Sequence, residues 1–136
     1  MVSIASSQIG NYNGNKFWSW YGFKNRVAWC GIFVSWVANN AGALGTYIPK
    51  FARVVDGVNY YKSQGQWQGK SYTPNTGDLI FFDWTHNGKA DHVGIVEYSA
   101  NGKVYVIEGN TKHNDVRRGS YPINGNMLYG YGIPRY

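Results

Sequence analysis

At Pro74-Asn75-Thr76-Gly77 the apolar residues of this chain change their period. Before that turn they recur at helical spacing, and after it they fall into short strand-like blocks. Trp29, Ile32, Phe33, Trp36, Val37 and Ala41 lie three or four residues apart, which predicts a helix over 29–41, with Gly42 where a left-handed cap is wanted. Phe51, Val54, Val55, Val58 and Tyr61 repeat the pattern and predict a second, shorter helix over 51–61. A short first helix is expected over 4–9, ended by Gly10 and the Asn/Gly cluster that follows. The aromatic stretch 16–21 fits either period.

Leu79-Ile80-Phe81-Phe82 reads as a short buried strand. Strands over 93–98 and 103–107 flank Ala100-Asn101-Gly102, a hairpin signal, and weaker strands are expected over 121–123 and 128–133. Helices first and an antiparallel sheet after them make the class α+β. The 136 residues are expected to form a single domain, 1–136, and with 43% hydrophobic residues they can fill one core. No apolar run approaches the ~18 residues of a membrane span; the longest, Ile32-Phe33-Val34, stops at Ser35. The first residues lack the basic start and apolar middle of a secretory signal. With Cys30 as the single cysteine, an intrachain disulfide is impossible, and so is a zinc site built on two thiolates.

The net charge is +6 and unevenly spread. Residues 1–55 hold Lys16, Lys24, Arg26, Lys50 and Arg53 but no carboxylate; the first acid is Asp56. Such a field attracts polyanions: nucleic acid, an acidic membrane surface or an anionic cell wall. No nucleic-acid-binding motif or basic helix face accompanies it.

Cys30 lies one residue into the 29–41 pattern. A lone cysteine beside Trp29 and Ile32 is commonly a buried apolar filler. A helix start, however, offers free N–H groups and a dipole that favour an anionic sulfur. Gly31 removes a side chain beside it, leaving room for a substrate carbonyl. Of the three histidines, His86 and His113 lie in polar loops, while His92 opens a strand and has the firm backbone a general base needs. Its alternative is a structural pairing with Asp91. Glu108 and Asn110 share strand parity at the end of an apolar run, where a carboxylate without a partner is costly. Hairpin register decides whether they meet His92. A two-residue turn at Asn101-Gly102 gives paired residue numbers an odd sum and places His92 and Glu108 on opposite faces. A three-residue loop, 100–102, gives an even sum, setting His92 across from Asn110 with Glu108 on the same face. The three-residue loop, or a bulge with the same effect, is therefore expected.

Four blocks, Trp29-Cys30-Gly31-Ile32-Phe33-Val34-Ser35-Trp36, Gly77-Asp78-Leu79-Ile80-Phe81-Phe82, Asp91-His92-Val93-Gly94-Ile95-Val96 and Ile107-Glu108-Gly109-Asn110, together resemble the CHAP family, the cysteine, histidine-dependent amidohydrolases/peptidases of phage endolysins and bacterial autolysins. The resemblance implies a papain-like fold and hydrolysis of a peptidoglycan amide, either the N-acetylmuramoyl-L-alanine bond or one in the stem or cross-bridge. It implies Cys30 as nucleophile, His92 as general base, Glu108 as the residue orienting His92, and Asn110 as a fourth polar member. Some members bind calcium through an Asp-rich loop before the cysteine; no carboxylate precedes Cys30, so no metal is expected there. No cofactor is expected either.

Trp29 and Trp36 belong to the helical pattern, whereas Trp18, Trp20 and Tyr21 lie outside it and are candidates to line a substrate groove. The backbone N–H of Cys30 is the first oxyanion donor, and Tyr21 and Asn25 are candidates for the second. The alternative is a non-catalytic wall-binding module using its exposed aromatics. The expected setting is the wall of Gram-positive-type bacteria, reached by a phage-released endolysin or a fragment of a secreted autolysin, with the chain monomeric and bound to neither membrane nor nucleic acid. The basic first half suits an anionic wall. Lysis of purified walls, followed by turbidity, should therefore slow steadily as sodium chloride is raised from about 0.05 to 0.5 M, because screening shortens the reach of that attraction to a few ångströms.

Overall fold

The computed structural model describes residues 1–136. Four helices come first: α1 (Val2–Ser7), α2 (Asn15–Tyr21), α3 (Cys30–Asn40) and α4 (Val54–Ser63). Six strands follow: β1 (Trp67–Gly69), β2 (Leu79–Phe82), β3 (His92–Ala100), β4 (Lys103–Glu108), β5 (Arg117–Pro122) and β6 (Leu128–Gly132). They form one sheet in the order β1-β6-β2-β3-β4-β5, with every neighbouring pair antiparallel. The α+β class is as expected.

Strand alternation sorts the apolar side chains onto two faces. Leu79, Phe81, Val93, Ile95 and Ile107 meet Ile32, Phe33, Val34 and Val37 of α3 in the larger core. Ile80, Phe82, Val96, Val104 and Val106 have the opposite parity and build a smaller core with Leu128 and Tyr131. Because β2 is covered on both faces, all four of its residues are buried, and it reads as a continuous apolar run.

Helix α3 lies deep, with eight of its eleven residues buried. Phe17 of α2 stacks on Trp29 at 5.5 Å and meets Phe33 edge-on at 5.2 Å. Burying an aromatic ring of this size contributes about 1.5–3 kcal/mol. Ser35, fully buried, accepts the Phe51 N–H at 3.0 Å, and its hydroxyl has the Phe51 and Gly31 carbonyls in reach at 3.0 and 3.1 Å. That clasp holds the 51–52 segment against the start of α3. A Cβ on Gly31 would lie 3.0 Å from both the Ala52 carbonyl oxygen and the Phe51 ring. The space Gly31 leaves is thus occupied by protein rather than open to substrate, which corrects the sequence expectation.

Several boundaries differ from expectation for local reasons. The stretch 16–21 is helical and lies within α2. Helix α4 begins at Val54, not Phe51, because Arg53 is extended (φ −81°, ψ 127°) and Phe51 turns inward before the helix starts. Strand β5 begins at Arg117 and strand β1 exists; both are largely exposed and carry little apolar signal.

The hairpin takes the second of the two expected forms, a bulge. Ala100 pairs with Lys103, so the loop has two residues, Asn101 (φ 53°) and Gly102 (φ 76°), both left-handed as a primed turn requires. Pairing runs with an odd sum through Tyr98↔Tyr105, then shifts, and Val96↔Val106 and Ile95↔Ile107 have even sums. A bulge at Glu97 therefore restores the parity that sets His92 and Glu108 on one face.

Gly109, between Glu108 and Asn110, packs against α3; a Cβ there would sit 2.8 Å from the Phe33 side chain and the Trp29 ring. Gly109→Ala should cost about 1–3 kcal/mol, seen as a lower urea midpoint with an unchanged slope.

Candidate active site

Three chain segments deliver the expected residues to one place. Cys30 is the first residue of α3, whose N-cap, Trp29, makes no side-chain capping bond. The Cys30 N–H has no backbone acceptor and is free to serve as a donor. His92 is the first residue of β3, opposite Phe82 at the end of β2, and Glu108 is the last residue of β4. His92 Nε2 lies 2.8 Å from Glu108 Oε1, which leaves the Nδ1 edge outside that bond. His92 is 6% exposed and Glu108 4%, so each depends on the other for its polar partner.

The second carboxylate oxygen of Glu108 accepts a hydrogen bond from the Tyr121 hydroxyl. Two glycines give the carboxylate room. A Cβ on Gly94 of β3 would lie 3.1 Å from Glu108 Cγ, and one on Gly119 of β5 would overlap Glu108 Oε2 and approach the Tyr121 hydroxyl to 2.9 Å. Phe82 and Trp84 wall the imidazole at ring distances of 5.6 and 5.7 Å, and Tyr121 packs on both of them. Burial and then the Glu108 charge hold the Tyr121 phenol protonated far above its ordinary range, so it serves Glu108 as a fixed donor.

Burial alone would push the His92 pKa down. Hydrogen bonding and charge from Cys30 and Glu108 outweigh it, and the value rises from 6.5 to about 9. The imidazole therefore keeps its proton through neutral pH. Asp91 takes no part in this. Its carboxylate accepts the Trp84 and Thr85 N–H groups at 3.0 and 3.2 Å and the Thr85 hydroxyl at 3.2 Å, tying down the loop before β3.

Asn110 has a left-handed backbone (φ 55°), and its carboxamide turns to Arg26: Oδ1 accepts from Arg26 Nη2 at 2.7 Å. It lines the same cleft as His92 and Glu108. That cleft, about 750 Å³, is polar and includes Arg26, Lys112 and Tyr121. A second cleft of about 410 Å³ reaches Cys30 and is mostly apolar, with Phe23, Val27, Ala52 and Val54 in its wall. Asp91 touches both clefts.

The four residues put forward for substrate lie outside the lining of both clefts. Trp18 is buried in the core, its Nε1–H donating to the Asn13 carbonyl at 3.0 Å. Trp20 and Tyr21 share the Lys50 ammonium at 5.0 and 4.7 Å, and Tyr21 stacks on Phe23. Asn25 is exposed. His86 is an exposed left-handed loop residue. His113 is exposed at the rim of the polar cleft.

Sequence reasoning passed over Tyr121, Arg26 and Asn114. Asn114 Oδ1 accepts from Arg26 Nε at 2.9 Å and from Trp29 Nε1 at 3.1 Å, joining the loop after β4 to the start of α3. Arg26 did carry a signal, a cation four residues before the cysteine in a carboxylate-free segment. Tyr121 is reached only through the pairing of β4 with β5, and Asn114 lies in an irregular loop.

Comparison with known proteins bears on the family and the fold. The family model described as the CHAP domain matches residues 20–110. Among solved structures, Ly7917 with the hydrolyzing product of MDP aligns at a TM-score of 0.60 and 17% identity, covering 96% of this chain and 60% of its own. PlyC aligns at 0.56 and 19%, covering 96% of this chain and 34% of its own. A protein similar to lipoprotein, of the NLP/P60 family from Staphylococcus aureus subsp. aureus Mu50, aligns at 0.50 and 20%, covering 99% and 40%. These likenesses show the papain-like fold. The chain spans 34% to 60% of the lengths of these three proteins. No curated protein matches.

The raised His92 value has a definite sign. The folded state holds this proton more tightly than the unfolded chain, so the stabilisation it brings is complete below about 6.5 and is lost as pH rises through about 9. In an NMR titration the His92 ring should deprotonate near pH 9, and in Cys30→Ala at lower pH, because one of the groups that favour the imidazolium is gone.

Proposed function

We propose that this chain, which belongs to the CHAP domain family, is a peptidoglycan hydrolase that cuts a wall amide by thiol chemistry, with Cys30 as nucleophile and His92 as acid and base. The observation that carries this reading is a strand-start imidazole bonded at 2.8 Å to a buried carboxylate, with a helix-start cysteine among the groups that raise its proton affinity. The bond is the N-acetylmuramoyl-L-alanine amide or a peptide bond of the stem or cross-bridge, which require the same groups. The Ly7917 complex with the hydrolyzing product of MDP supports a substrate of that class.

His92 takes the proton of Cys30, or the two rest as an ion pair. The thiolate attacks the amide carbonyl, forming a C–S bond and an oxyanion. The Cys30 N–H at the start of α3 donates to that oxyanion; a single such donor is worth about 3–4 kcal/mol of transition-state stabilisation. As the intermediate collapses, the C–N bond breaks and His92 passes its proton to the departing amine. The neutral imidazole then takes a proton from water, the hydroxide adds to the thioester, and cleavage of the C–S bond restores thiolate and imidazolium. Glu108 keeps the ring's edge fixed and its charge balanced throughout, and Tyr121 keeps Glu108 in place. Asn110 serves the site through Arg26 rather than through the imidazole. The setting is the anionic wall of Gram-positive-type bacteria, toward which the carboxylate-free first 55 residues draw the chain.

Cys30→Ala should fold as the native chain does, with matching circular dichroism, and lose wall hydrolysis by about 10³-fold or more. Mass spectrometry of the released fragments should show one new amine and one new carboxyl terminus per cut. A Cys30→Ala protein that clears walls at the native rate would remove the nucleophile, and a protein that only binds walls would be indifferent to the substitution.

A further inference from the structure

Cys30 lines the apolar cleft and His92 lines the polar one, so the two halves of a bound amide meet different chemistry. We propose that the polar cleft holds the amine-bearing fragment that leaves, and that Arg26 selects fragments carrying a carboxylate close to the scissile nitrogen. This rests on the hydrolase reading, since the direction follows from proton transfer: the group protonated by His92 must depart along the side His92 lines.

Of the three arginines that line that cleft, Arg26 alone has no carboxylate partner. Arg117 is neutralised by Asp115, with contacts of 2.8 to 3.2 Å, and Arg118 by Glu97, at 2.9 and 3.1 Å. Glu108 is committed to His92 and Tyr121. Arg26 is anchored instead by neutral oxygens: Nε–H donates to Asn114 at 2.9 Å and Nη2–H to Asn110 at 2.7 Å. These bonds fix the guanidinium plane without cancelling its charge. They occupy one edge, so of its five N–H groups three remain, those of Nη1 and the second of Nη2. That free edge is the fork that receives a carboxylate bidentately. Both anchoring residues have left-handed backbones, Asn110 at φ 55° and Asn114 at φ 57°, and Asn114 is itself held by the Trp29 indole at the N-cap of α3. The guanidinium is therefore positioned by the same residue that begins the nucleophile helix. Lys112, also in the cleft wall, forms no ion pair and adds a second uncompensated cation.

The opposite cleft is mostly apolar: eight of its ten lining residues are hydrophobic, and the two charged ones, Arg53 and Asp91, are of opposite sign. Its walls of Phe23, Val27, Ala52 and Val54 suit an uncharged acyl fragment. The two clefts together orient the amide, with the acyl group over Cys30 and the carboxylate-bearing amine on the His92 side.

The test is binding to the Cys30→Ala protein, so its outcome does not depend on whether the native protein hydrolyses walls. The isotope-labelled protein is titrated with L-alanyl-D-glutamate, with the same dipeptide carrying carboxamides, and with glycerol 3-phosphate. The carboxylate form should bind at least about fivefold more tightly than the carboxamide, moving the Arg26 Nε–H and His92 ring resonances. Adding Arg26→Gln should bring that ratio below about twofold; adding Lys112→Gln, which breaks no hydrogen bond, should lower it partway; the charge-matched Lys103→Gln, on the hairpin, should leave it unchanged. Equal affinity for both dipeptides, binding of neither, or a ratio indifferent to both cleft variants overturns the proposal. Glycerol 3-phosphate binding as tightly as the dipeptide overturns the choice of a carboxylate. Failure of Cys30→Ala to abolish lysis would instead strike the hydrolase reading, leaving this measurement intact.

Discussion

A carboxylate that is 4% exposed at the end of an apolar strand is costly, and the site is arranged around making Glu108 tolerable. One oxygen takes the His92 ring at 2.8 Å and the other takes the Tyr121 hydroxyl. Gly94 and Gly119, on the strands either side, leave the space the carboxylate occupies. With both oxygens engaged, Glu108 cannot turn away from the imidazole it holds. The high protonation of His92 follows from that placement, since a buried ring without these partners would lose its proton more readily.

Strand register is the second constraint. The two-residue turn at Asn101-Gly102 is favoured by local backbone chemistry, yet by itself it would place Glu108 on the wrong face. The bulge at Glu97 inserts one residue and corrects the parity. The same position contributes elsewhere: the Glu97 carboxylate pairs with Arg118 on β5, and its carbonyl accepts the Thr76 hydroxyl at 2.8 Å. These bonds pin the extra residue, so the offset is held by contacts on both sides of β3.

The parts of this arrangement visible in the sequence are those with local causes. The helical spacing around Trp29 and Val37 locates α3 to within a residue at each end. The apolar runs locate β2 and most of β3 and β4, and parity relates His92, Glu108 and Asn110 once the register is supposed. What stayed hidden depends on contacts between distant segments. Tyr121 belongs to a strand whose exposed Arg117 and Arg118 mask its pattern, and its phenol reaches Glu108 only across the gap left by Gly119. Arg26 meets Asn110 and Asn114 across more than eighty residues of chain, a proximity no spacing rule reports. Trp18 offered a plausible ring for substrate, but helical packing turned it into the core. Gly31 was legible as a close approach, although the group that approaches is the 51–52 segment.

The helix start, the imidazole and the carboxylate form one connected unit, and its reactive end is the sulfur. The most direct probe is alkylation of Cys30 by iodoacetamide between pH 6 and 7, followed by intact mass, in the native protein and in His92→Asn. If the imidazolium sustains an anionic sulfur, the native protein should react about tenfold faster or more. Equal rates in the two proteins would mean that Cys30 does not draw on His92, and the catalytic pairing would be contradicted.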